Sequence, residues 1–513
     1  MAENDLTKEM RIIPSKTTEP DRAAVIFGNT IGEKDYASAC AAKKRYVRMF
    51  GDDSSKIYHL AASPTPVIGT RLGVRTLHLA DKKEPALCLG EDARLAGAGE
   101  PVVIGTIRMG FGHYRIAMAM ASAARALGKT PYWFDVMGFP KTTATKLVAF
   151  QNRLYSAGSR MSQKVAPFDN LVWEPMNSEG FRKLSYNASD QKCTELMVPV
   201  YRDLPRDVPF IGTHAWPSQA AVHAGLTHVV NAIPDNWPMA LHLAEGSLHT
   251  VQTQSAYLGY RMLRGMDPER QLVPMPSESI VCTGHYIDHE LVQNIETDCA
   301  ARCERMKKGK PMRFLLSVGG AGAQAQLFED IIKHLLPAID SGKAVLFINV
   351  GDHDKVWKEL VKKLPALAEA SCHFGDFDRT AAFAKSALSG DVYGIHAFYD
   401  ADIFGAVYST NLLMRASDVL ITKPSELAYY PVPKLMIHRV GGHEAWGAIR
   451  AAEVGDGTYE MDDTQEVLSM IDLMLSDSGI VEGMCENIKA AKDAGVYDGA
   501  YRVVELACAE KLR

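Results

Sequence analysis

The sequence predicts an α/β protein made of two doubly wound, Rossmann-like domains that face each other across a cleft. Three observations lead there. Short apolar runs of strand length alternate with segments of helical periodicity, the pattern of a parallel sheet covered on both faces. The alternation runs twice, restarting near residue 313 after a junction around 285–310. At 513 residues the chain is also too long for one hydrophobic core.

The first hundred residues carry the weakest pattern. Ala23–Gly28 reads as a strand ending in a glycine turn, Asp35–Phe50 as a basic helix and Val74–Leu79 as another strand. They form either an added lobe or the first strands of the main fold. From Val102 the order is regular. Val102–Ile107 is a buried strand, Gly110-Phe111-Gly112 a tight turn, and Tyr114–Leu127 a helix of small and apolar residues stopped by Gly128. Strands follow at Pro131–Val136, Val208–His214, His228–Asp235, Leu248–Val251 and Ser279–Gly284, with a basic amphipathic helix at Thr142–Lys164 and a helix at Ser218–Ala224.

The second series opens with the strand Arg313–Gly320, a small-residue turn and a helix to Leu336. Val345–Val350, Asp418–Lys423 and Lys434–His438 are its further strands, the last two around a helix at 425–430. The tail from Thr464 is helical and is expected to return to the first domain. The division is 1–100 as an extension of open role, 101–295 and 296–463 as the two domains, and 464–513 as the tail.

Bulk properties narrow the function. A net charge of −5 with 23% charged residues gives no reason to expect a nucleic-acid binder. No apolar run is long enough to span a bilayer, and the polar, acidic start MAENDLTKEMRIIP is neither signal nor anchor. Nine scattered cysteines, with only Cys299 and Cys303 close together, read as ordinary thiols in a reducing cytoplasm. No ligand cluster for a metal is evident, and no cofactor is called for.

Strand, glycine turn, helix is the recipe for approaching an anion or a reacting group, because glycine lets backbone close in and the first helical N–H groups are unpaired. His113 follows that turn, and a histidine there titrates near neutrality. No third glycine follows at the spacing of the dinucleotide fingerprint. Gly319, Gly320 and Gly322 make a similar turn in the second series.

Several pieces, in order from Val102 to Thr458, resemble the GT-B glycosyltransferases. Closest in pattern are the monogalactosyl- and glucosyl-diacylglycerol synthases and the enzyme adding N-acetylglucosamine to lipid-linked muramyl-pentapeptide. The family's Gly-x-Gly-His turn is similar to Gly110-Phe111-Gly112-His113. Its acid after the next strand matches Asp135, and its membrane-facing basic segment matches KLVAFQNRLYSAGSRMSQK. Its acidic stretch before a tryptophan resembles Ile233-Pro234-Asp235-Asn236-Trp237. Asp418–Ala428, continuing through Val432-Pro433 to Gly442-His443-Glu444, is the most specific match. Three departures fall on the donor side, one of them Trp446-Gly447 in place of the family's Gly-Asn. The glycine-rich loop before the ribose-binding Glu is reduced to Lys423-Pro424-Ser425, and His443 stands where Gln is usual.

The resemblance implies metal-independent transfer of a sugar, from a nucleotide-sugar such as a UDP-sugar, to a lipid or other hydroxyl acceptor. His113 would be the base and Asp235 its helper, with Gly110, Gly112 and His214 on the acceptor side. Gly319, Gly320, Gly322, Lys423, Ser425, Glu426, His443 and Glu444 would hold the nucleotide-sugar. Each has a plainer alternative: a turn histidine, a capping aspartate, a strand-to-helix glycine turn, or a first-turn carboxylate favoured by the helix dipole. The Lys141–Lys164 helix either lies on an anionic membrane surface or turns its apolar stripe to the core. An epimerase or hydrolase of nucleotide-sugars, and a ligand-binding protein without catalysis, are the competing functions.

Overall fold

The computed structural model describes residues 21–81, 87–95, 99–162, 180–318 and 324–510. Val25–Ile26 (β1) and Asn29–Thr30 (β2) form a small hairpin. Eight further strands make the first large sheet: Leu60–Pro64 (β3), Arg75–Leu79 (β4), Pro101–Thr106 (β5), Thr130–Asp135 (β6), Phe210–Gly212 (β7), Val229–Ala232 (β8), Leu248–Val251 (β9) and Ile280–Cys282 (β10). Their order is β10-β9-β8-β7-β5-β6-β4-β3, parallel except for the β3–β4 edge pair. The second sheet is parallel throughout. It contains Met312–Ser317 (β11), Ala344–Asn349 (β12), Ser371–Phe374 (β13), Gly394–Tyr399 (β14), Val419–Thr422 (β15) and Lys434–Met436 (β16), in the order β13-β14-β12-β11-β15-β16. Two doubly wound domains are the result.

The first sheet is entered at its β3 edge and the second at its central β11, and in each the chain later reverses direction across the sheet. The reversal lies between β5 and β7 in the first sheet and between β11 and β15 in the second. Ligand crevices open outside the carboxyl ends of strands at such switch points, where the connections leave to opposite faces. The register aligns Gly105 of β5 with Gly212 of β7, so the two strands end level and deliver the following residues to one place.

The helix Gly112–Ala126 joins the domains. Eleven of its residues, Tyr114 to Ala124, are buried. A helix apolar on all sides belongs in an interior, and its alanines let neighbours come close from several directions. It shares one core cluster with Ile403, Phe404, Val407 and Tyr408 of the second domain, and with Ala500, Val503 and Val504 of the last helix, Gly499–Ala507. That last helix does return to the first domain.

Elsewhere the structure adds to or corrects the sequence expectations. The described part of the first hundred residues is built into the first domain. Strands β3 and β4 form the edge of its sheet, and the helix Glu33–Phe50 packs on Leu184–Thr194. Residues 355–417, which carry no clear sequence pattern, supply β13, β14 and the helices Phe377–Ala387 and Ile403–Ala416. The helix expected at 425–430 is a single 3-10 turn, Glu426–Tyr429. Pro431 follows directly, and a residue before proline is pushed to extended backbone, as Tyr430 is (φ −78°, ψ 146°). In the basic helix Thr143–Ser162, Leu147 and Val148 are core residues, and Phe150 packs on the rings of Tyr46 and Phe50. This part of its apolar stripe faces the protein. None of the described helices is long and apolar enough to cross a membrane.

Candidate functional site

The two switch points meet. Strand β5 runs into Gly110-Phe111-Gly112-His113, with Gly110 at φ +80°, a conformation that favours glycine. Strand β7 runs into Thr213 and His214. Strand β15 delivers Lys423, Ser425 and Glu426 from the other domain.

His113 is half-buried, and its Nδ1 lies 2.7 Å from the carbonyl oxygen of Thr213. A carbonyl only accepts, so Nδ1 carries the proton and Nε2 keeps its lone pair. Thr213 is itself fixed by hydrogen bonds from its hydroxyl to Thr106 Oγ1 (3.0 Å) and to the His113 carbonyl (3.1 Å). Burial lowers the His113 pKa below the usual histidine value. The Thr213 bond and the nearby carboxylates of Asp235 and Glu426 pull it back up.

His214 meets the His113 ring edge-on, with centroids 4.8 Å apart. It caps the helix Ala215–His223, its Nδ1 accepting the Trp216 N–H at 3.1 Å, so its own proton sits on Nε2. Burial holds its pKa well below the ordinary value. His214 is therefore a neutral donor at the edge of the base.

Asp235 leaves the end of β8 and places Oδ2 3.3 Å from Nε2 of His242, whose Nδ1 is 2.7 Å from the Tyr260 hydroxyl. Tyr260 also donates to the Trp237 carbonyl, which holds the whole Asp235–Trp237 segment. His242 and Tyr260 carry no sequence signature. Only the closing of residues 240–260 onto the end of β8 brings them in.

Glu426 crosses the cleft. A Cβ on Gly112 would lie 3.0 Å from its carboxyl carbon, so the missing side chain at Gly112 makes room for this carboxylate. The site thus holds His113, His214, His242 and Asp235 from the first domain and Glu426 from the second.

Of the remaining expected ligands, Lys423, Ser425, His443 and Glu444 lie on the segments that follow β15 and β16, and the others lie outside the described residues. Lys423 pairs with Glu444, and Glu444 Oε2 also accepts the Val440 N–H at 2.8 Å, so these two brace the loop after β16. Ser425 opens the 3-10 turn with its backbone N–H on the Lys423 carbonyl. His443 is the middle residue of the short turn Gly442–Glu444. Gly319, Gly320 and Gly322 lie outside the described residues. The helix Ala445–Val454 packs on the Lys423-Pro424-Ser425 segment. A Cβ on its Gly447 would come 2.6 Å from the Pro424 carbonyl oxygen. Asp135 is structural: its Oδ1 accepts the Met137 N–H at 2.8 Å, and it holds the Tyr114 hydroxyl.

Comparison with known proteins adds the following. Residues 25–262 match the family model described as Domain of unknown function (DUF6937), and residues 275–508 match that described as Domain of unknown function (DUF6938). No curated protein matches the chain. Among solved structures, the chain is similar to the MnaA–UDP complex of Staphylococcus aureus (15% identity, 79% of this chain and 95% of that one, TM-score 0.44). It is similar to UDP-GlcNAc 2-epimerase from Neisseria meningitidis bound to UDP-GlcNAc (13%, 79% and 98%, TM-score 0.43). The α,α-trehalose 6-phosphate synthase of Burkholderia multivorans is a third (12%, 80% and 97%, TM-score 0.40).

Proposed function

We infer that the cleft binds a nucleotide-sugar and that His113 is the base in transfer of the sugar to a hydroxyl acceptor. The convergence of the two switch points on His113 supports this most directly. Its Nδ1 is committed to Thr213, so Nε2 is the atom left to take a proton. In the step proposed, Nε2 accepts the acceptor hydroxyl's proton. The acceptor oxygen bonds to the anomeric carbon while the bond from that carbon to the diphosphate breaks. His214 and the first N–H groups of the Gly112–Ala126 helix face the charge that develops there. A UDP-sugar donor and a lipid acceptor are the finer form of this proposal, carried from the resemblance of the Gly110–His113 and Asp418–Glu444 segments to the glycolipid synthases.

One observation favours a second reading. Asp235, His242 and Glu426 gather around His113, which is more acid–base equipment than a single deprotonation requires. Epimerisation or hydrolysis of a nucleotide-sugar would use several such groups.

The test is a thermal-shift screen with UDP, GDP and their sugars, followed by turnover of wild type and His113→Ala. Binding to the native state at 100 times Kd adds about 2.7 kcal/mol of stability. His113→Ala is expected to keep the nucleotide shift and lose roughly 100-fold or more in turnover. Turnover that needs no acceptor would select the second reading. Absence of any nucleotide shift would sink both.

A further inference from the structure

A separate cavity of about 500 Å³ lies farther along the domain junction. Its first wall is the carboxyl ends of β8, β9 and β10, represented by Asn236, Thr253 and Gly284. Its second is the helix Ala445–Val454, through Trp446 and Arg450, and its third is the crossover at Gly495–Val496 together with the last helix, through Arg502. The size suits a small ligand, and a junction of domains is a usual place for one.

The polar groups in this cavity are mostly donors. Arg450 gives its Nε–H to His285 Nε2 at 3.1 Å and makes no ion pair among the described residues. The NH1 and NH2 groups of its guanidinium have no acceptor among them either, which leaves four of its five N–H bonds for a ligand. Arg502 is braced by the Thr283 carbonyl at 2.8 Å, and its one ion-pair contact among the described residues is to Asp498 at 3.5 Å. Asn236 is 3% exposed. Its Oδ1 accepts the Thr253 hydroxyl at 2.8 Å, while its amide N–H groups donate to none of the described residues. These donors open to the cavity and are free to meet a ligand there. The helix Gln254–Arg261 also starts at this cavity, with Thr253 as its cap, and adds the positive end of its dipole.

Acceptors are scarce by comparison. His285 cannot become a second cation cheaply, because Nδ1 donates to the Tyr429 carbonyl and Nε2 already accepts from Arg450. Glu453 lies on the exposed rim.

We propose that this cavity is a second ligand site, for a small molecule bearing a phosphate or carboxylate group held between Arg450 and Arg502 with the Asn236 amide. Two guanidinium groups and an amide converging on one space match the acceptor-rich faces of such an oxyanion. The site is distinct from the His113 cluster but adjoins it, since Asn236 is the next residue after Asp235. It does not depend on the reaction proposed there.

Isothermal titration of the full chain with inorganic phosphate, a hexose 6-phosphate and a hexuronate tests this. The three arms separate free phosphate, an organic phosphate and a carboxylate. At least one is expected to bind, to bind equally well with UDP present, and to lose tenfold or more in affinity in Arg502→Gln. Arg450→Gln should do the same. Should that variant unfold, Arg502→Gln and Asn236→Ala decide the matter, their fold being checked by unchanged melting without ligand. No binding by any of the three, binding indifferent to these substitutions, or competition with UDP would each overturn the assignment.

Discussion

The state of His113 is set by one backbone atom. Thr213 O fixes the proton on Nδ1, and burial disfavours the imidazolium, while the carboxylates of Asp235 and Glu426 oppose that shift. At pH 7 the ring is therefore neutral with Nε2 unprotonated, as a base must be. Removing the charge of Asp235 removes one of the nearby carboxylates that raise its pKa. Asp235→Asn should move the His113 titration to lower pH, and Glu426→Gln should do so more weakly, following the order of the two influences. Titration of ¹³C-labelled histidines by NMR reads this without any substrate. A midpoint at or above 6.5 in wild type, or one that rises in Asp235→Asn, would contradict the geometry. The sequence singles out His113 because it follows a strand and a glycine turn, and His214 because it ends a strand. His242 was not, because its pairing with Asp235 depends on the path of residues 236–242. The space for Glu426 at Gly112 depends on another domain altogether.

At the scale of elements, the glycine turn does two jobs. It presents His113, and it docks the first domain on the second. Phe111 covers Gly351 and lies against the His353 ring with centroids 5.7 Å apart, and Arg108 pairs with Asp352 at 2.8 Å. Gly351 is needed twice over, because its φ is +58° and a Cβ would come 2.7 Å from Phe111 Cε2. Gly351→Val should cost about 1–3 kcal/mol from overcrowding, with backbone strain in addition. It should also lever Phe111, and with it the His113 turn, away from the second domain. Urea unfolding gives the stability loss. Protection of the 108–113 amides from hydrogen exchange should fall as well, and unchanged protection there would show that the contact does not hold the turn. Such latches are invisible in one sequence, since Phe111 and Gly351 are 240 residues apart. The elements they join were legible, because β5 and the alanine-rich helix after Gly112 are strongly patterned. The turn at Glu426 was less so: the hydrophobic pattern suggested helix, and the prolines that follow cut it to a single turn.

At the scale of the whole molecule, fusing two domains through one buried helix and a returning tail leaves many titratable groups without water. Burial is the leading cause that depresses four histidines, His223, His249 and His373 to about 4 and His285 to about 3. For two of them the reason is visible: His249 Nε2 accepts the Ala244 N–H at 3.0 Å, and His285 Nε2 accepts from Arg450, so protonation must break a bond. A histidine whose folded pKa lies below its unfolded 6.5 contributes stability that is present above pH 6.5. That stability is lost as pH falls toward the folded value. Burial acts the opposite way on two aspartates, raising Asp190 to about 7 and Asp288 to about 6. Their charged forms oppose folding above these values, so acid relieves them between about pH 7 and 4. Among the described residues burial also lowers His113, His214 and His396 and raises Asp135, Glu245, Asp400 and Asp456, so seven histidines stand against six carboxylates and the balance on acidification is a narrow loss, at about 1.4 kcal/mol per pH unit for each net proton. The urea midpoint should therefore fall between pH 6.5 and 4.5, earlier than carboxylate titration alone would bring it down. His249→Gln should flatten that slope, and Asp288→Asn, which removes an opposing term, should steepen it. A slope that His249→Gln leaves unchanged would mean that this histidine is not kept neutral by the fold.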